Sequence, residues 1–276
     1  MKNKKIVYFV TEDWYFYSHR LYLAKSAINS GYKVCLLSHY TNHRKAIENA
    51  SIETIDWPLD RSSKNPFKEI DALKKVFSTI RKLQPSIIHS VGMKPVLYSA
   101  IASVFAGFKK NIFALAGLGY VFTSNNKSAK LLRPLLEGVF KLIFRGKKKR
   151  LILQNPEDKN ALLSANIINP NNVRLIRGAG VDTQSFNVKP IASPPPIITL
   201  PSRMLWAKGI QDFIVCAKEI NKVSKIARFV LVGSPDVQNP DAIPIEMLED
   251  WNNNGVVEWW GHQNNMPNVL HQSTIV

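Results

Sequence analysis

Cysteine is nearly absent. The 276 residues hold two, Cys35 and Cys216, in neither a C-x-x-C nor a metal-ligand spacing, which excludes a disulfide scaffold and a zinc module. Cys35 falls in an apolar strand and Cys216 on a helix, so both are expected as buried free thiols in a reducing compartment. Long hydrophobic runs are missing too. No apolar stretch reaches the roughly 20 residues of a membrane span. The N-terminal run at 6–10 stops at Thr11–Glu12–Asp13, too short for a secretory segment. A soluble, cytoplasmic protein is expected. Acids are scarce, 20 Asp and Glu against 37 Lys and Arg, for a formal net charge of +17. Such an excess asks for an anionic partner. What is present is otherwise ordinary: 45% hydrophobic and 21% charged residues exclude a disordered chain and suffice for about two domains with cores of their own.

The charge is concentrated. Residues 127–150 carry nine basic side chains (Lys127, Lys130, Arg133, Lys141, Arg145, Lys147, Lys148, Lys149, Arg150) against the single acid Glu137. Within them Leu131, Leu132, Leu135, Leu136, Val139, Phe140, Ile143 and Phe144 make a wide apolar face at helical spacing, and Arg133, Glu137, Lys141 and Arg145 fall opposite it. Two readings fit: a helix packed on its own core with a solvated basic tail, or a helix lying on an anionic membrane surface through 131–150. Nucleic acid is set aside, because no aromatic-interleaved or zinc module accompanies the charge.

Apolar strands alternate with apolar-periodic helices along the chain. Strands are expected at 5–10, 32–37, 52–55, 86–89, 111–115, 151–153 and 173–176. Helices are expected from Ser18 to Ser30 with Leu21, Ala24 and Ile28 inward, from Phe67 to Leu83 with Phe67, Ile70, Leu73, Val76, Phe77 and Ile80 at helical intervals, at 95–106 and at 156–165 with Pro156 opening it. Strands this apolar should form a parallel sheet covered on both faces, an α/β fold. The run Ser193–Pro194–Pro195–Pro196 continues neither helix nor central strand, so the first domain is expected over 1–187, a linker over 188–196 and a second domain over 197–276. There the alternation restarts: strands at 197–200, 227–232 and 256–258, helices at 209–223, near 246–251 and at 266–271, and another strand opening at 274–276.

One turn in the second domain carries recognisable chemistry. Ser202–Arg203–Met204–Leu205–Trp206–Ala207–Lys208–Gly209 joins a strand to a helix, placing two cations five residues apart with Gly209 where the helix opens. A helix N-terminus offers free N–H groups and the positive end of a dipole. A forked guanidinium and an ammonium beside it suit a diphosphate. Two solvated surface cations are the plainer alternative.

Seven motifs in order resemble a known family. They are Asp13–Trp14 with Ser18–His19–Arg20–Leu21; Ser90–Val91–Gly92–Met93–Lys94–Pro95; Ala116–Gly117–Leu118–Gly119–Tyr120–Val121–Phe122; Gln154–Asn155–Pro156–Glu157–Asp158; Gly178–Ala179–Gly180–Val181–Asp182; Ser202 to Gly209; and Val257–Glu258–Trp259–Trp260–Gly261–His262. Together they resemble glycosyltransferase family 4, in its branch of bacterial polysaccharide and lipid-linked oligosaccharide enzymes. The resemblance implies two Rossmann-like domains, the GT-B fold, and retaining transfer from a nucleotide-diphosphate sugar to a polyprenyl-linked glycan at the inner face of the membrane. It needs no metal and no cofactor besides the donor.

Roles follow from the resemblance residue by residue. Arg203 and Lys208 would hold the donor diphosphate, with Gly209, Gly233, Ser234, Gly261 and His262 lining the nucleotide. Asp13, Lys94, Gly117 and Gly119 would stand on the acceptor side. A histidine common before the Gly-Leu-Gly turn is replaced by Ala116, which leaves His19 as the candidate catalytic imidazole. The family's E-x7-E element and a helix that returns to the first domain would fall beyond residue 276. The chain is therefore expected to be C-terminally truncated with an incomplete second domain, and an inactive fragment that binds only nucleotide or membrane surface is the alternative.

Overall fold

The computed structural model describes residues 4–58, 65–118, 127–144, 149–187, 194–223, 226–237, 239 and 241–276. They divide into two compact units, Met1–Gly180 and Val181–Val276. Of the linker expected at 188–196, residues 188–193 lie outside the described residues, as do Gly119 and Lys147–Lys148.

The first unit alternates strands and helices in the order β1 (Lys5–Glu12), α1 (Asp13–His19), α2 (Leu21–Asn29), β2 (Lys33–His39), α3 (Arg44–Asn49), β3 (Glu53–Asp56), α4 (Pro66–Leu83), β4 (Ile87–Val91), α5 (Met93–Phe105), β5 (Asn111–Leu115), α6 (Lys127–Phe144), β6 (Arg150–Leu153), α7 (Pro156–Ser164) and β7 (Val173–Leu175). Seven strands form one sheet, ordered β3-β2-β1-β4-β5-β6-β7, every pair parallel. The direction of winding reverses between β1 and β4, and in such sheets ligands gather outside the carboxyl ends of the strands at that point. Asp13 and Gly92 lie there.

The pleat sorts the strand residues between two helical layers. Val7, Phe9, Ile88, Phe113, Leu115, Leu151 and Leu153 face α4, α5, α6 and α7. Tyr8, Val10, Leu36, Val91 and Ala114 face α1, α2 and α3. Polar caps set the helix starts: the Asn65 and Asn155 side chains accept from Phe67 N and Asp158 N, each with proline next in the chain, an arrangement that satisfies a free donor and omits another.

Three expectations are corrected. The helix expected from Ser18 begins at Asp13 and breaks at Arg20, giving α1 and α2. Phe67 and Ile70 do not face inward but stand 76% and 50% exposed, because buried contacts of α4 begin only at Ala72. Cys35 is buried with its thiol pushed up to about 12 chiefly by desolvation, but Cys216 is exposed.

The second unit repeats the scheme with β8 (Ile197–Pro201), a 3₁₀ turn at Trp206–Lys208, α8 (Ile210–Val223), β9 (Arg228–Val232), α9 (Ile245–Asn253), β10 (Glu258–Trp259) and α10 (Met266–Gln272). Its parallel sheet runs β10-β9-β8. Ile275 forms a parallel bridge to Ile198 on the free side of β8, and its carbonyl accepts from Thr199 N, so a fourth strand is begun there. Ile210, Ile214 and Ala217 of α8 pack with Leu248 and Trp251 of α9 against Phe229 and Leu231.

Candidate functional site

The carboxyl ends of β8, β9 and β10 are laced together by backbone hydrogen bonds. Ser202 N donates to Val232 O (2.9 Å), Met204 N to Ser234 O (3.1 Å) and Gly233 N to Gly261 O (2.8 Å). Trp259 Nε1 adds a bond to Gly233 O at 2.8 Å. This lacing holds the three loops carrying Arg203, Ser234 and His262 along one sheet edge. Gly233 makes it possible: a Cβ there would stand 1.9 Å from Ser202 O. Gly209 (φ 74°) turns the chain out of the 3₁₀ turn and into α8, and its carbonyl accepts from Phe213 N. The first N–H groups of α8 are thus directed past Gly209 at the sheet edge.

Arg203 and Lys208 are both exposed on this edge. The Arg203 guanidinium is held 3.0 Å from the Asp236 carboxylate, which is itself mostly covered. Asp241 accepts from Ala207 N (2.9 Å) and pins the turn between the two cations. The structure therefore brings Arg203, Lys208, Gly209, Gly233, Ser234 and Gly261 to one edge, with His262 exposed beside them. Sequence reasoning missed Asp236 and Asp241, whose partners lie 33 and 34 residues away, and it named Trp259 only within a motif, not its bond to Gly233 26 residues away.

In the first unit Asp13 turns inward. It is fully buried and accepts from Thr41 N (3.0 Å), Thr41 Oγ1 (2.7 Å) and His43 N (2.8 Å). Burial alone would raise its carboxyl, yet these donors hold it below the usual range. Asp13 thus ties the loop after β2 to the end of β1. Asp13→Ala leaves two backbone donors without partners and should cost about 3 kcal/mol at neutral pH. Because the folded pKa is the lower one, the contribution is whole above the ordinary carboxylate value of about 4 and is lost as pH falls through the folded value. Urea unfolding at pH 7 and pH 3 should show the gap between the two proteins narrowing in acid, and an equal gap at both would mean the charge is immaterial.

The other first-unit candidates stand apart from that anchor. His19 is stacked on Tyr15 (4.4 Å) with Nδ1 2.6 Å from Ser18 Oγ. Partial desolvation and then the neighbouring Arg20 charge hold its imidazole below the usual value. Lys94, in the first turn of α5, pairs with Glu69 of α4 at 3.0 Å. Gly117 is exposed in the loop after β5, and Gly119 lies outside the described residues.

The C-terminal part of the basic helix's apolar face is occupied. Phe140, Ile143 and Phe144 of α6 are buried against Phe113, Leu115, Leu151, Leu153 and Leu162. Lys141 and Leu142 point outward. No helix among the described residues is long and apolar enough to cross a membrane. Among the described residues no three His, Cys, Asp or Glu side chains gather as a metal centre would require.

Known proteins share this architecture. The N,N'-diacetylbacillosaminyl-diphospho-undecaprenol alpha-1,3-N-acetylgalactosaminyltransferase of Campylobacter jejuni is 22% identical over 273 residues, 94% of this chain and 70% of that protein. A glycosyltransferase from Rickettsia africae superposes with a TM-score of 0.69 at 20% identity, over 98% of this chain and 72% of its own. Anabaena HepE, solved with UDP and glucose, gives 0.68 at 15% identity, over 97% and 72%. These two carry the GT-B fold of paired Rossmann-like domains. Residues 5–155, more than half of the chain, match the family described as glycosyl transferase 4-like, and the chain belongs to that family.

Proposed function

We propose that the protein moves a sugar, with retention at the anomeric carbon, from a nucleotide-diphosphate donor to a lipid-linked glycan at a membrane surface. The observation that carries this reading is the edge of the second sheet, where Arg203, Lys208 and the start of α8 surround one laced set of loops. Arg203 and Lys208 bind the diphosphate there and offset charge as it leaves, which is electrostatic stabilisation by fixed groups. Gly209, Gly233, Ser234, Gly261 and His262 border the nucleotide. In the transfer the donor C1–O bond breaks, the acceptor oxygen bonds to C1 on the same face, and its proton passes to the departing phosphate oxygen. The two cations supply the charge, so no metal enters this scheme. The Campylobacter relative is named for a diphospho-undecaprenol acceptor, and HepE was solved with UDP; both support the substrate classes.

The acceptor belongs at the reversal point of the first sheet, where Lys94 and Gly117 follow the strand ends and Asp13 fixes the adjoining loop. With Phe140, Ile143 and Phe144 of α6 committed to the core, attachment to an anionic membrane is electrostatic, through the cations of 127–150. Each contributes about 1 kcal/mol near such a surface and less as salt rises. Transfer of sugar from a panel of nucleotide sugars to a polyprenyl-diphosphate glycan in anionic vesicles tests the reading. Reversing Lys147, Lys148, Lys149 and Arg150 to glutamate should reduce vesicle binding at least about tenfold while leaving UDP affinity unchanged. Equal vesicle binding before and after would remove the membrane part, and transfer with no nucleotide sugar would remove the whole.

A further inference from the structure

A recess opens at the amino end of the first sheet, where α6 ends and β6 and β7 begin. It lies at the opposite strand ends from Lys94 and Gly117. Its volume is about 760 Å³, within the range of small-molecule sites. One wall is the last turns of α6, with Gly138, Lys141, Leu142 and Phe144, and the other is the stretch 166–170 between α7 and β7. Both walls are rooted in one core, since Phe144, Ile167 and Ile168 are buried in the same cluster as Leu151 and Leu162. Asn166 N and Ile167 N donate to Leu163 O and Leu162 O, each at 2.9 Å, which fixes the second wall to the end of α7.

Gly138 keeps the recess open. A glycine inside a helix is less stable there than alanine, and no neighbour demands one, because a Cβ at Gly138 would meet nothing within 4 Å. The rim is cationic and polar. Lys141 is exposed, and no hydrogen bond or ion pair among the described residues engages its ammonium. The Asn166 side-chain amide is exposed and likewise without a partner among them. Arg150 Nη1 donates to Asn172 Oδ1 at 3.3 Å, and Asn172 Nδ2 to the Phe144 carbonyl at 3.5 Å, so a second cation stands at the same end of α6. The described lining holds no acid. It is also half apolar: Leu142, next to Lys141, stands 73% exposed, and Pro170 faces it across the recess. Its one aromatic ring, Phe144, is only 2% exposed, so a nucleotide base has no face to stack on.

We propose that this recess binds one anionic phospholipid, its phosphate held by Lys141 and Asn166 and one acyl chain lying along Gly138, Leu142 and Pro170. An ammonium and an amide can donate together to phosphate oxygens, and the apolar wall covers the first part of the chain. Arg150 adds attraction without direct contact. The supply of lipid rests on the membrane reading above, and the recess itself does not. A lipid held here fixes one point of the first unit on the surface, which diffuse attraction alone does not do.

The test titrates octanoyl lysophosphatidate, kept below its micellar concentration, into the full chain by calorimetry. Saturable one-to-one binding tighter than about 1 mM is expected. Two further ligands take the lipid apart without altering the protein: glycerol phosphate lacks the chain, and octanoyl lysophosphatidylcholine lacks the net charge. Each should bind at least about tenfold more weakly. Gly138→Trp fills the recess while keeping every cation. It should weaken lysophosphatidate at least about tenfold and leave attachment to anionic vesicles and uridine-diphosphate affinity intact. Lys141→Gln should also weaken lysophosphatidate at least about tenfold. Equal lysophosphatidate binding by the parent and Gly138→Trp would overturn the site. So would glycerol phosphate binding as tightly as lysophosphatidate, because the recess would then hold a free phosphate. The comparison of ligands uses the parent protein alone, so a misfolded variant does not decide the matter. Vesicle attachment without lysophosphatidate binding would remove the recess and keep the membrane reading, and one-to-one binding without vesicle attachment would do the reverse.

Discussion

Alanine at either Arg203 or Lys208 should weaken uridine-diphosphate binding by roughly 10–150-fold, the equivalent of about 1.5–3 kcal/mol for a hydrogen bond to a charged group. Both side chains are exposed, so neither replacement disturbs a core, and thermal midpoints should stay close to those of the parent. The two losses have different origins. Lys208 offers a point charge next to the start of α8. Arg203 offers a planar fork that Asp236 already orients at 3.0 Å, so less side-chain entropy remains to be lost on binding. Arg203→Lys keeps the charge and loses the fork, and should recover only part of the affinity. Catalysis should suffer more than binding, because charge on the leaving diphosphate grows in the transition state. Calorimetry with uridine diphosphate and single-turnover transfer measure the two effects separately. Unchanged affinity in both alanine variants would remove the diphosphate from this edge.

Why that edge was legible, and its supports were not, follows from distance along the chain. The turn from 202 to 209 is local: an apolar strand, two cations, a glycine and a periodic helix all sit within one window. Asp236 and Asp241 act on it from 33 and 34 residues away, Trp259 holds the neighbouring Gly233 from 26 residues away, and no periodicity encodes such contacts. The parallel sheet was legible because its strands are too apolar to face water on either side. The inner ends of helices were not. Apolar spacing in α4 runs on through Phe67 and Ile70, but the chain turns into the helix at Pro66 before any strand meets it. Cys216 lies two residues beyond the buried Ile214 and so turns roughly 200° away from it. Arg20 sat inside a motif string, yet nothing in that string marked it as buried, with its Nη1 turned back to the His19 carbonyl.

Gly233→Ala should be the most damaging single methyl in the second unit. A Cβ at this position would stand 1.9 Å from the Ser202 carbonyl oxygen, 3.0 Å from its carbon and 3.3 Å from Met204 Cε. The first two are backbone atoms and cannot rotate aside. The residue also sits at φ 138°, where an L side chain is strained whatever the space. Strain of that kind costs about 1–3 kcal/mol and overpacking about 1–3 kcal/mol more, so a loss of roughly 4 kcal/mol is expected. The relief available is to part the loops after β8 and β9, which breaks the bonds from Ser202 N to Val232 O and from Gly233 N to Gly261 O. Hydrogen exchange at Ser202, Gly233 and Gly261 should therefore accelerate, and uridine-diphosphate affinity should fall with it, while amides of β1 and β4 in the first unit keep their protection. Gly209→Ala separates the two causes. Its φ is 74°, but nothing lies within 4 Å of the added carbon, so it should cost only about 1 kcal/mol. Equal costs at the two glycines would mean that backbone strain alone explains Gly233, and that the close approach of Ser202 is not what fixes this edge.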